Sequence, residues 1–192
     1  MAIQTLIIAN IAVFAVQPLL GDSLIYTFAL WPVGEGFGPW QLISYAFLHG
    51  GLPHLFFNMF GLWMFGAEIE RAWGSQRLVV YYAVCVIGAA LTQLLASAMT
   101  GSNAPTIGAS GGVFGILLAF AMRYPNRTIV LLFPPIPMPA WLFATLYGGL
   151  ELVLGVTGTD AGVAHFAHLG GMLGGYLLIR TWGGGQHPRR RQ

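Results

Sequence analysis

Six polar side chains of this 192-residue chain lie where polar groups are expensive: His54, Asn58, Ser110, Glu151, His165 and His168 all fall inside long apolar runs. Ionisable or strongly hydrogen-bonding groups in hydrocarbon are functional candidates by default. A serine hydroxyl becomes a nucleophile when a base takes its proton, and histidine is the usual base, which pairs Ser110 with His168. Acyl transfer also needs donors for a developing oxyanion. His54 and Asn58, i and i+4 on one helix face, and the N–H of Ser110 itself could supply them. Ser110 stands in Gly108-Ala109-Ser110-Gly111-Gly112, where missing side chains leave room for a substrate carbonyl. It also opens a helix, whose first N–H groups are free and favour an anion.

Blander readings stand beside these. Serine in a membrane helix is most often a small packing residue, and His54 with Asn58 could simply pin a loop. His165, one turn before His168, reads as structural, and His49, outside the runs, as a tie for loop backbone. Glu151 admits three roles: a structural pair, a residue facing a water-filled gap, or a third catalytic member. His49, His54, His165 and His168 could instead ligate a metal, but there is no H-E-x-x-H pair and no acidic ligand in the same motifs. No metal and no cofactor are therefore expected.

The elements that must position these groups follow from composition. The chain is 56% hydrophobic and 7% charged, with a mean hydropathy of +0.71, against ~25% charge in soluble domains. A soluble enzyme, a nucleic-acid binder and a disordered chain are excluded. The 27 glycines follow no Gly-X-Y period and suit close helix contact in a bilayer. A single cysteine, Cys85, forbids an intrachain disulfide. Six apolar runs approach the ~20 residues needed to cross ~30 Å of hydrocarbon: residues 2–20, 52–69, 78–99, 107–122, 139–156 and 163–181. The first has no basic flank and no A-x-A site after it, so it reads as a retained span. Between the runs lie Gly21-Asp22, Gly34-Glu35-Gly36, Gly74-Ser75, Gly101-Ser102-Asn103, Pro134-Pro135-Ile136-Pro137 and Gly158-Thr159-Asp160, all turn chemistry. The period-2 alternation of a lipid-facing barrel is absent. The fold class is an all-α, polytopic six-transmembrane-helix bundle: one membrane domain over residues 1–182 and a basic tail over 183–192.

Every arginine (71, 77, 123, 127, 180, 189, 190 and 191) flanks the second and fourth loops or lies at or beyond the end of the sixth run, and there is no lysine. The positive-inside rule puts both termini in the cytoplasm and the long Gly21–Gly51 loop outside. The second, fourth and sixth runs then descend from the outer face, so His54, Asn58, Ser110 and His168 can meet roughly 5–10 Å below it at ~1.5 Å per residue. Gly111 with Gly115, Gly170 with Gly174, and Gly171 with Gly175 form G-x-x-x-G faces that let backbones approach and the short serine reach the histidine.

Three segments carry a family likeness: His54-Leu-Phe-Phe-Asn58, Gly108-Ala-Ser110-Gly-Gly-Val-Phe114-Gly115, and Ala167-His168-Leu-Gly-Gly171-Met-Leu-Gly-Gly175. They match H-x-x-x-N, G-x-S-G-x-x-F/Y-G and A-H-x-x-G-x-x-x-G, in order and on the right runs, with Glu70-Arg71 before Gly74-Ser75 as a further match. The chain resembles the rhomboid intramembrane serine proteases over nearly its full length. The resemblance implies Ser110 as nucleophile and His168 as base in a dyad without an acid, and His54, Asn58 and the Ser110 N–H as oxyanion donors. It implies that Phe114 packs on the His168 ring, with Gly108, Gly111, Gly115, Gly171 and Gly175 as supporting positions. It further implies a substrate that is a transmembrane helix of a single-pass or polytopic membrane protein, cut near its outer end, in the lipid bilayer and with no nucleic acid involved. The six-span form resembles bacterial members, which implies the inner membrane, with the site opening outward. Where many members carry Trp-Arg in the outer loop, this chain has Trp40-Gln41, which puts that loop's arginine hydrogen bonds in question.

Overall fold

The computed structural model describes residues 1–131, 134–159 and 164–183. Most of the predicted tail and the first residue of the sixth run lie outside them. Helix α1, Ala2–Leu20, has the bounds of the first apolar run. The second run is a longer helical path than expected: α4, Leu52–Gly61, passes through one π-helical turn at Leu62–Gly66 into α5, Ala67–Trp73. Pro53 opens α4 in the first turn, where a missing N–H costs nothing. Helix α6, Ser75–Thr100, runs between Gly74 (φ +83°) and Gly101 (φ +71°), left-handed positions that only glycine adopts freely. Helices α8, Ala140–Thr157, and α9, His165–Thr181, correspond to the fifth and sixth runs. Helices α1, α6 and α8 are each long and apolar enough to cross a membrane. The chain is a helical membrane bundle.

Three expectations change. Helix α7, Ser110–Arg123, has 14 residues and starts three residues later than the fourth apolar run. At ~1.5 Å per residue it is about 21 Å long, less than the ~30 Å hydrocarbon core. Gly108 stands at φ +123°, which no helix accepts, so the approach to Ser110 is extended. Thr106 exchanges both backbone hydrogen bonds with Leu30 (2.9 Å each), and Gly108 donates to the Tyr45 carbonyl at 3.0 Å. The serine is therefore carried into the bundle by a bonded extended segment, not by helix.

The long first loop is also more ordered than its glycines suggest, with α2 at Asp22–Phe28, α3 at Gln41–Ser44 and a 3₁₀ turn at Tyr45–Phe47. Gln41 is buried at its centre. Its carbonyl accepts from Trp31 N–H (3.1 Å), and its amide donates to the carbonyls of Thr27 (3.3 Å) and Gly36 (3.2 Å). Glutamine thus ties this loop without an arginine. Between α7 and α8, where only a helix break was expected, β1 (Thr128–Val130) pairs antiparallel with β2 (Pro137–Pro139), Ile129 opposite Met138. A two-stranded ribbon has only edge strands, which tolerate prolines that cannot donate.

Glycine sets the packing of α9. A side-chain carbon on Gly171 would collide with the Gly111 carbonyl of α7, and one on Gly170 would strike Thr92 of α6. Gly174 lies against Gly88 of α6, whereas Gly175 meets Tyr81 and Cys85 of α6 instead of α7. The predicted face is thus divided: Gly171 is the α7 contact and its G-x-x-x-G partner serves α6. Gly115 packs against Cys85 and the Gly171 carbonyl. Two tyrosine hydroxyls lock the layer, Tyr81 donating to Gly115 O (2.7 Å) and Tyr45 to Val86 O (2.8 Å). At the arginine-bearing end, the Glu70 carboxylate accepts from Ala2 N–H (2.5 Å), Ile3 N–H (3.2 Å) and the Ser75 hydroxyl (2.5 Å). It satisfies free donors at the start of α1, where a negative charge is favoured.

Candidate active site

Ser110 occupies the first helical position of α7. The first intrahelical return bond is Val113 N–H to Ala109 O, 3.0 Å, so the N–H groups of Ser110, Gly111 and Gly112 precede the helix ladder. The Ser110 Oγ lies 2.7 Å from His168 Nε2. The close approach of α7 and α9 at Gly111 and Gly171 puts these short and long side chains within hydrogen-bond reach. Phe114, one turn beyond Ser110, stacks on the His168 ring with centroids 4.4 Å apart and planes 5° from parallel. The structure thus brings Ser110, His168 and Phe114 together.

His54 enters from α4. Gly50 N–H donates to its Nδ1 at 3.3 Å, so Nδ1 is the acceptor and Nε2 carries the proton. A carbon on Gly108 would lie 2.7 Å from His54 Nε2 and 3.7 Å from Ser110 Oγ. The missing side chain leaves a gap bounded by a ring N–H and the serine oxygen, as an oxyanion site requires. Asn58 donates one amide hydrogen to the His54 carbonyl at 2.8 Å, which leaves the other free. It lines a cavity wall with Ser110.

Two cavities meet at Ser110. One, about 390 Å³, is apolar and opens between α4 and α8, lined by Phe57, Phe60, Met64, Phe114, Phe143 and Tyr147 among others. The second, about 700 Å³, is more polar and is bounded by His54, Gln93, Ser102, Thr106, His165 and His168. The hydroxyl is therefore reachable from an apolar side and from a more polar one.

His49, expected to tie loop backbone, lies beside the site. Its backbone is clamped by Gln17, which donates to its carbonyl and accepts from its N–H, both at 2.9 Å. Its buried ring has no hydrogen-bond partner among the described residues and packs edge-on against His54 at 5.1 Å. Burial first, and the neighbouring His54 second, push the His49 imidazole down to about 4. Gln17 thus ties the loop through the His49 backbone.

The resemblance implied a serine–histidine pair with no acid, yet the structure puts one there. Glu151 Oε2 lies 2.8 Å from His168 Nδ1 and 2.6 Å from His165 Nδ1. A buried glutamate in an apolar run was visible in the sequence; its target was not, because α8 and α9 are joined by a loop whose path no pattern specifies. Glu151, His165 and His168 have ligand atoms within 4.8 Å of one another and could hold a metal by type. Ligands on a tetrahedral zinc at ~2.0–2.1 Å stand ~3.3 Å apart. The observed separations are those of hydrogen bonds.

Fold and site together define a polytopic helical membrane protein with a serine hydroxyl on a histidine inside its bundle. The family model of the Rhomboid domain matches residues 37–184. The chain is 31% identical over 174 residues to RHOMBOID-like protein 4 of Arabidopsis thaliana, an alignment covering 84% of this chain and 40% of that protein. It is 29% identical over 178 residues to rhomboid protease GlpG of Yersinia pestis (strain Pestoides F), covering 90% of this chain and 59% of the relative. To rhomboid protease GlpG of Klebsiella pneumoniae subsp. pneumoniae it is 34% identical over 119 residues, covering 61% and 41%. This chain belongs to the rhomboid family. The matches span about 40 to 59% of the length of these relatives.

Proposed function

We propose that the chain is an intramembrane serine endopeptidase that hydrolyses a peptide bond near the outer end of transmembrane substrate helices. The observation that carries this is the 2.7 Å contact of Ser110 Oγ with His168 Nε2 at the meeting of an apolar and a polar cavity. His168 Nε2 takes the serine proton as Oγ attacks the scissile carbonyl. The oxyanion formed accepts from Ser110 N–H, His54 Nε2–H and the free Asn58 amide hydrogen. His168 then returns the proton to the leaving amine, the acyl-enzyme remains on Ser110, and water from the polar cavity repeats the cycle in reverse order. The apolar opening between α4 and α8 suits a helical substrate arriving from lipid. Two of the relatives are named proteases, which agrees with a peptide-bond hydrolase. The arginine distribution supports cytoplasmic termini, with the site toward the outer side, and the resemblance to six-span bacterial members supports an inner membrane.

The test is cleavage of a transmembrane substrate by purified Ser110→Ala and His168→Ala. Nucleophile and base act as a unit, so each loss alone should abolish turnover while the protein stays folded. A serine-reactive phosphonate should label Ser110 in the parent. Substantial turnover by Ser110→Ala overturns the assignment.

A further inference from the structure

Glu151 is a buried carboxylate on α8, 7% exposed, and one of its oxygens faces two imidazoles of α9. Its Oε2 meets His168 Nδ1 at 2.8 Å and His165 Nδ1 at 2.6 Å. The other ring nitrogen of His165, Nε2, lies 3.1 Å from the Thr159 carbonyl. We propose that Glu151 is a positioning residue for the reaction, holding His168 with its proton on Nδ1 and its lone pair toward Ser110, while His165 neutralises the carboxylate. This deepens the proposed function and rests on it.

Donor and acceptor counting leads to that arrangement. A carbonyl only accepts, so His165 Nε2 carries a hydrogen. One further proton lies between His165 Nδ1 and Glu151 Oε2. Whichever atom holds it, Glu151 and His165 together are neutral, which suits a group buried in an apolar bundle. Oε2 then has room to accept from His168, so that ring carries its hydrogen on Nδ1 and presents a bare Nε2 to Ser110. The opposite arrangement, Glu151 donating to His168 Nδ1, puts a hydrogen on Nε2 against the serine. It also leaves His165 doubly protonated beside a neutral acid, a buried uncompensated cation. Phe114 of α7 covers the ring face, so His168 is held at both nitrogens and on its plane. Among the described residues, His54 of α4 is the remaining titratable group lining the same cavity.

In the reaction no proton passes to Glu151. When Nε2 takes the Ser110 proton, the ring becomes a cation with hydrogens on both nitrogens, and the carboxylate stabilises it. The proton leaves again from Nε2 to the amine, and the charge balance is restored. In soluble triads, replacing the orienting carboxylate by its amide costs ~10⁴-fold in kcat through the wrong tautomer. Phe114 still stacks on the ring here, so a smaller loss is expected.

The experiment compares Glu151→Gln with the parent and Ser110→Ala on one transmembrane substrate, with active sites counted by phosphonate titration and melting temperature read on the same samples. Glu151→Gln should lose at least ~100-fold in kcat per folded site with little change in KM, and Glu151→Asp should recover part of it. A kcat per folded site within twofold of the parent overturns the proposal. A purely structural glutamate would lower melting temperature and active fraction but leave that kcat intact. Nitrogen NMR of ring-labelled parent protein reads the tautomer without any variant. Protonated Nδ1 and bare Nε2 on His168 support the proposal, and the reverse overturns it. Turnover by Ser110→Ala would instead sink the underlying dyad, so the two failures are told apart.

Discussion

At the scale of single residues, oxyanion donation and histidine burial make separate predictions. His54 presents Nε2–H beside Ser110 because Gly50 occupies Nδ1, and Asn58 is anchored to the His54 carbonyl. Removing one oxyanion donor from a soluble serine protease costs ~2.7–4 kcal/mol. His54→Ala and Asn58→Ala should each lose less, since the Ser110 N–H and the remaining side chain still donate. Measured kcat should fall more than KM rises; unchanged kcat with a lowered melting temperature would reduce both to packing. His49 predicts a pH effect. Its folded value of about 4 lies below its ordinary 6.5, so between them the unfolded chain binds a proton that the native chain excludes. Its contribution to stability is complete above about 6.5 and is lost as pH falls toward about 4. Denaturation in detergent at pH 7 and pH 4.5 should show that loss, and His49→Phe should shrink it. An equal loss in both proteins would rule His49 out.

At the scale of elements, the α7–α9 contact is the joint that makes the site. Gly171 has the Gly111 carbonyl where a Cβ would be, and backbone cannot swing aside as a flexible side chain can. Overpacking typically costs ~1–3 kcal/mol. Gly171→Ala should therefore lower the melting temperature by several degrees and reduce turnover together, because the helices must separate and Ser110 and His168 move apart. Gly149, with open space around it, is the control: Gly149→Ala should keep both. Retention of full activity by Gly171→Ala would show that the contact does not set the dyad distance. Glu70 joins α5 to α1 in a similar way. Burial disfavours its charge, but hydrogen bonds from Ser75, Ala2 and Ile3 and the nearby chain amine outweigh that and hold the carboxyl below its ordinary value. That stabilisation is present above the ordinary carboxylate range and is lost as pH falls through the depressed value.

At the scale of the whole molecule, arginine placement makes a topological prediction. Cys85 is completely buried, so the chain carries a single native thiol that a membrane-impermeant reagent should not reach. Cysteines placed at Glu35 and Ser102 should react from the outer side of intact cells, and one at Gln76 only after permeabilisation. The reverse pattern would invert the bundle and move the polar cavity to the cytoplasmic side. The cavity arrangement fits an outward site, since the more polar cavity is bounded by Ser102 and Thr106 at the end that carries no arginine.

The sequence by itself determined the bundle and singled out Ser110 and His168 as the candidate pair. Length of apolar run is a one-dimensional quantity matched to a bilayer of set thickness, so α1 appeared with its observed bounds. The types Ser110 and His168 needed only the rule that a weak nucleophile wants a base. Closeness between helices was partly legible in glycine spacing, yet which partner each glycine meets was not: Gly171 touches α7 while Gly175 touches α6, a matter of helix rotation. That Ser110 opens a helix was legible; tertiary structure alone decided the extended approach to it, since the φ of Gly108 goes with the bond to Tyr45 and the Leu30–Thr106 pairing across the loop. It alone revealed how Gln41 stands in for an arginine, because three distant backbone groups converge there. Above all it decided the surroundings of His168. Glu151 and His168 are 17 residues apart on different helices, and hydrogen bonds between helices depend on how those helices are turned and set, which no local pattern records.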